Sequence, residues 1–288
     1  MKLSGLYEKI GYKKLMILSL LLLVVCIVSL LWNYQTKGEF FAKGIDLQGG
    51  TQLAIDTNQK VDAAELEARL KPIFGDVSVR TTISVGSNSI LIKANENVEK
   101  EKLLEEVKNY GIDVSSYSFQ KIEASLGESF FIQSRTAVII AFIFMAFTVF
   151  FIFRSFVPSV AVILCAFSDI VSTIAVMNWI GASFSLASFA ALLLIIGYSV
   201  DTDILLTTKL IKRKEDSILN RSFAAFKTGI TMTTTTLVAL LALYLISGAT
   251  AIGDIATILI IALLLDMPYT WITNMGIVRW WMEKKGLE

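Results

Sequence analysis

Four aspartates lie inside long apolar runs: Asp169, Asp201, Asp203 and Asp266. A carboxylate near the centre of a membrane-crossing helix costs roughly 2.5 to 3.5 kcal/mol on insertion scales, so each needs a partner or a task. Lys227, at the head of another apolar run, is the cation best matched to them. At about 1.5 Å per residue, Asp201 is roughly 12 Å along its helix from Lys209, Asp169 roughly 16 Å from Pro158 and Lys227 about 9 Å from Arg221. Those depths are similar, which points to a lysine–carboxylate pair. A pair whose spacing changes as helices move can take up and release a proton. Asp201 and Asp203 stand about 200° apart on a helical wheel, so one partner cannot serve both. Gly197, one turn before Asp201, permits close helix approach and favours Asp201 as the coupling acid. Thr231, one turn beyond Lys227, is the hydroxyl best placed to extend a polar path. Thr228 and the run 233–236 are read mainly as packing hydroxyls. A fixed interhelical ion pair, or acids reaching to water from helix ends, are the competing readings.

Other chemistries are poorly served. With no histidine in 288 residues, imidazole proton transfer, histidine metal ligation and Ser-His catalysis are excluded. Cys26 and Cys165 lie in apolar runs without disulfide or metal partners and read as packing residues. No nucleophile–base pair, metal cluster or phosphate loop is present, so the expectation is a protein that is not an enzyme, with no cofactor and no metal.

The elements that must position these acids follow from hydropathy. With 55% hydrophobic and 18% charged residues, the chain is far more apolar than a soluble domain. A bilayer core of about 30 Å takes roughly 20 apolar residues as a helix. Six such spans are expected near 15–32, 137–153, 157–179, 184–206, 229–246 and 255–278. The first follows Lys13 and Lys14 without a small-residue cleavage site and reads as an uncleaved anchor rather than a removed signal peptide. Lys and Arg cluster in residues 1–14, at Arg154, in the loop 207–228 and in 279–288, whereas the connections 178–183 and 247–254 carry none. By the positive-inside rule both termini are cytoplasmic, with Trp280 and Trp281 as an interfacial anchor. The basic loop 207–228 is explained by anionic lipid, and nucleic-acid binding is not inferred from it.

Residues 33–134 are polar enough to form an extracytoplasmic domain. Alternating strands at 52–56, 77–85, 89–94 and 114–122 are separated by helical stretches at 61–72 and 98–110. The order β-α-β-β-α-β predicts a small α+β, ferredoxin-like sandwich with both helices on one face of an antiparallel sheet. Gly86, Ser87 and Asn88 suit a hairpin turn, and Asp62 or Asn97 can cap the helices.

Several of these residues resemble the SecF family of protein-export membrane proteins, relatives of the resistance-nodulation-division transporters. The resemblance rests on Gly44, Ile45, Asp46, Leu47, Gln48, Gly49, Gly50 and Thr51 after the first span, Leu126-Gly127-Glu128 before the second, and Ser168-Asp169 in the third. Gly197, Tyr198, Ser199 and Val200 in the fourth and Lys227-Thr228 at the fifth complete it. Asp201-Thr202-Asp203 stands where bacterial members have Asn-Asp, leaving both acids as candidates. Lys227 stands where Arg is common and loses the planar guanidinium fork. Asp266, before Met267 and Pro268, is similar to the archaeal branch. Gly49 and Gly50 permit a tight turn or close backbone approach, read as structural. The resemblance implies a partner to SecD that uses a proton or sodium gradient to help exported polypeptides through the Sec translocation channel. A half-transporter for lipid or small molecules, or a passive assembly factor, are the alternatives.

Overall fold

The computed structural model describes residues 11–57, 59, 61–75, 77–84, 87–95, 97–114, 116–212, 217–247 and 250–286. The first long helix, α1 (Tyr12–Lys37), stops at Gly38, whose φ of 76° is the left-handed conformation that ends helices without strain. A short helix α2 (Ile45–Gln48) leads into an α+β domain built from β1 (Gly50–Thr57), α3 (Ala63–Phe74), β2 (Val77–Ser84), β3 (Ser87–Ala94), α4 (Lys100–Asn109) and β4 (Ser116–Ile122). Five membrane-length elements follow: α5 (Ala124–Phe153), α6 (Phe156–Trp179), α7 (Leu186–Lys212), α8 (Ile218–Ser247) and a last one made of α9 (Ala251–Pro268), a π-helical segment (Tyr269–Asn274) and α10 (Met275–Lys285). Six helices among the described residues are thus long and apolar enough to cross a membrane.

The sheet order is β2-β3-β1-β4, antiparallel throughout, as expected for a β-α-β-β-α-β chain. Strand alternation sends Leu53, Ile55, Ile90 and Ile92 to one face, where they pack on Leu66 and Leu70 of α3 and Leu103 and Val107 of α4. Asp62 caps α3 by accepting from Ala64 N at 2.9 Å and Glu65 N at 3.4 Å. Asn97 does not cap α4: the residue in that position is Glu99, without a side-chain cap bond. Ser87 and Asn88 belong to β3, and Gly86 of the expected hairpin turn lies outside the described residues.

The membrane helices run past their apolar cores. The second begins at residue 124 rather than 137, because a helix propagates through a polar segment by adding one backbone bond per residue. That extension meets the domain entrance. A Cβ on Gly49 would sit 2.6 Å from the Ala124 Cα, and one on Gly127 would sit 2.7 Å from Gly49 N, so the chain enters and leaves the domain by backbone-to-backbone contact. Gly49 and Gly50 also hold φ of 83° and 137°. Both readings of the glycine pair, turn and close approach, therefore hold.

Burial divides the bundle. The apolar windows of α6 and α7 are each 56% buried while those of α1, α5 and α8 are 11–17% buried, which makes α6, α7 and α9 the inner helices. Small side chains such as Ala161, Cys165, Ala166, Ser172 and Ala175 let α6 take the centre.

Candidate functional site

The inner helices carry small polar residues at helical spacing. On α7, Ser199, Thr202, Asp203 and Thr207 share the buried face; on α6, Ser168, Asp169, Ser172 and Thr173 do so. Asp266, Thr270, Thr273 and Asn274 complete the set from the last span. Pro268 between Asp266 and Thr270 removes a backbone donor, and the wide-turned π segment begins at the next residue. The carbonyl of Tyr269 accepts from Cys165 Sγ at 3.3 Å, and the Tyr269 hydroxyl shares a hydrogen bond with Ser172 Oγ at 2.6 Å.

Three of the four aspartates meet here, each 0–1% exposed. Ser199 Oγ donates to Asp169 Oδ2. Thr202 Oγ1 and Thr270 Oγ1 donate to the two oxygens of Asp266 at 3.2 and 2.9 Å. Asn274 Nδ2 donates to Asp203 Oδ1 at 2.7 Å and to Thr207 Oγ1 at 3.3 Å. Ser19 of α1 ties in through Thr273 at 2.5 Å.

No Lys or Arg ion pair reaches this cluster: the ion pairs among the described residues are Lys43–Glu39, Lys102–Glu99 and Arg279–Glu283. A hydrogen bond to a charged group contributes about 1.5–3 kcal/mol, whereas an uncompensated buried charge costs several kcal/mol even after relaxation. Neutral donors alone do not balance three carboxylates. Asp169 Oδ1, Asp203 Oδ2 and Asn274 Oδ1 have no donor partner among the described residues and stand as open acceptor positions. No three His, Cys, Asp or Glu side chains among the described residues stand in metal-holding geometry.

The remaining sequence candidates lie elsewhere. Asp201 is exposed on the outer face of α7 with Gly197 and Tyr198, and a Cβ on Gly197 would meet nothing within 4 Å. The expected close approach at Gly197 is not made among the described residues. Lys227 and Thr231 are exposed on α8, Thr231 Oγ1 bonding back to Lys227 O at 2.9 Å. The expected Asp201–Lys227 pair is not formed. The 200° separation of the two acids is kept, and the bundle interior takes Asp203. Asn274 and Thr270 are not singled out from sequence, and Ser199 and Thr202 enter there only as parts of the resemblance, with no site role; the signal for all four is the i, i+3, i+4 spacing of small polar residues around each acid. The signature residues Gly44 and Asp46 lie at α2: Gly44 N donates to Phe184 O at 2.5 Å, and Asp46 lines a cleft beneath the sheet.

Comparison with known proteins identifies the family and the fold of the chain. The family model described as protein export membrane protein SecD/SecF, C-terminal, matches residues 102–284. The SecF protein of Pyrococcus furiosus is 38% identical over 274 residues, covering 95% of this chain and 92% of its own. That of Methanocaldococcus jannaschii is 40% identical over 250 residues, covering 84% and 88%. Among solved structures, SecDF from Thermus thermophilus, a translocon-associated membrane protein, superposes with a TM-score of 0.75 at 20% identity, covering 93% of this chain and 38% of that one. SecDF in a super-membrane-facing form gives 0.54, covering 96% and 39%. At that identity the likeness to the solved structures is one of fold, and this chain spans under two-fifths of their length.

Proposed function

The chain belongs to the SecD/SecF family of protein-export membrane proteins, and we propose that it pairs with a SecD-like chain and uses the proton or sodium gradient to promote translocation or release of exported polypeptides at the Sec channel. A multi-pass membrane protein with a role in Sec export is the premise; ion coupling, the partner and the orientation are the proposal. The Lys and Arg distribution supports an orientation with both termini cytoplasmic and the α+β domain outside.

The observation that carries ion coupling is the meeting of Asp169, Asp203 and Asp266 in the inner bundle with no cation paired to them among the described residues. One charge crossing 100 mV is worth about 2.3 kcal/mol, so repeated ion passage could drive a mechanical cycle. Asp201 and Lys227 support the partner: charged groups exposed at membrane depth are costly against lipid and favourable against a polar protein face. The same exposure favours a complex over a half-transporter acting alone.

The test is export of a precursor into membrane vesicles containing the complex, with the ion gradient imposed or collapsed. Asp203→Asn is expected to lower gradient-stimulated export about tenfold or more, the scale at which a misplaced proton-transfer group acts, while gradient-independent export stays unchanged. Equal stimulation in wild type and variant would remove the ion-coupling reading and leave a passive assembly role.

A further inference from the structure

Where the membrane helices meet the α+β domain, a cleft of about 400 Å³ opens. Lys93 and Arg80 border it from the sheet, and Ser188, Asp254, Thr257 and Tyr244 from the helices; Met177 and Ile258, 4% and 0% exposed, form its apolar floor. Asp254 is exposed in the first turn of α9. Lys93 Nζ donates to Ser183 Oγ at 2.7 Å, and burial holds this lysine below its ordinary 10.5 with Asp254 the largest opposing influence.

Each helix that holds the acid cluster presents a residue of the same face to this cleft. On α6 the line runs Met177, Thr173, Asp169; on α9 it runs Ile258, Ala262, Asp266, in steps of one turn or about 6 Å. Thr173 is the polar group on the first line. Hydroxyls of membrane helices commonly bond back to the carbonyl one turn earlier, as Thr136, Thr148, Thr228, Thr231 and Thr257 do here at 2.8–3.0 Å. Thr173 does not: its Oγ1 is fully buried without a hydrogen-bond partner among the described residues, as is Asp169 Oδ1 one turn away. The cleft is also mechanically tied to this helix pair. Phe184 N donates to Ala42 O at 2.7 Å and Asn178 Nδ2 to Phe40 O at 2.5 Å, so the segment entering the domain grips the α6–α7 connection.

We propose that this cleft is the domain-side mouth of the acid cluster and that Thr173 is the relay residue between it and Asp169. The inference rests on the ion-coupled reading and names its entry route. A hydronium ion at the mouth gives a proton to the Thr173 oxygen and becomes water, while the Thr173 hydrogen passes to one bridging water, which hands one of its own protons to the Asp169 carboxylate. One proton enters and one leaves the hydroxyl, which is regenerated, and no other reactant is consumed. Met177 and Ile258 close the mouth in the present conformation.

The chain, co-reconstituted with its SecD-like partner in liposomes, is tested by potential-driven proton uptake with a pH-sensitive dye. Asp169→Asn, which reports on the parent reading, is expected to lose uptake. Thr173→Val, isosteric but without a hydroxyl, is expected to slow uptake about tenfold or more, and Thr173→Ser to restore it to within about twofold. Independently of Thr173, an impermeant thiol reagent added from the domain side is expected to label Thr257→Cys and block uptake by about tenfold. Wild-type uptake by Thr173→Val, or a Thr257→Cys protein that resists labelling or conducts equally when labelled, overturns the relay and its mouth. If Asp169→Asn fails at the same time, the ion-coupled reading stands; if Asp169→Asn also takes up protons at the wild-type rate, both fall.

Discussion

Lys93 illustrates how a single side chain joins the two parts of the molecule. Its ammonium is carried under the sheet to Ser183, with Arg80, Asp46 and Asp254 as the charged groups around it. Desolvation lowers its pKa below 10.5. The unfolded chain then binds more protons than the folded one between the two values, so stability rises with pH through that window; below it the full penalty of burying the charge persists. Lys93→Met is therefore expected to be at least as stable as wild type near neutrality, with its advantage shrinking as the pH approaches 10.5. Thermal unfolding of the detergent-solubilised protein over a pH series would show this, and an advantage that does not change with pH would mean that Lys93 is not buried in solution. The acids at 201 and 203 make the complementary point. Their types and spacing were legible in sequence, but a helical wheel has no marked interior, and the choice of Asp201 over Asp203 rested on a glycine whose open side faces away from this chain.

Among elements, the last span is the one that sequence reading simplified most. It was expected as a single stretch over 255–278, and it is an α-helix, a π segment and a second α-helix over residues 251–285. Pro268 marks the change of winding, and Gly229 of α8 lacks the Cβ that would overlap the Trp271 ring, so the π segment and α8 pack without separation. At its end the π segment delivers Asn274 to Asp203 and Thr207. Asn274→Leu removes both donated bonds and leaves a buried carboxyl oxygen without them, which is expected to cost about 1–3 kcal/mol. Equilibrium unfolding in mixed micelles would measure it, and a loss below about 0.5 kcal/mol would show that Asp203 is held by other groups. The sheet needed no such correction, because period-2 alternation dictates which side chains reach α3 and α4.

At the scale of the whole molecule, two outer surfaces differ in kind. On α5, Ile143, Phe144 and Phe147 are 61–70% exposed, a surface suited to lipid. On α7 and α8 the outer face carries Tyr198, Asp201, Lys227, Thr228 and Thr231. The threonine hydroxyls bond back to their own helix and tolerate lipid, but the two charges do not. Replacing both Asp201 and Lys227 with Leu is expected to leave the unfolding temperature of the isolated chain within a few degrees of wild type and to reduce copurification with the SecD-like partner about tenfold or more, equivalent to about 1.4 kcal/mol or more. Undiminished copurification would place the partner on another face.

By itself the sequence determined the number of membrane helices, the position of an inserted α+β domain, its strand order and the presence of intramembrane acids. Each of these depends on local periodicity, on apolar length or on residue type, which a single chain displays in order. Tertiary structure decided which face of each helix is interior. It thereby gathered Asp169, Asp203 and Asp266 around Asn274 and turned Asp201 and Lys227 outward. Those outcomes depend on how six helices divide their faces among interior, lipid and partner, a choice made by packing all of them at once and carried by no single segment.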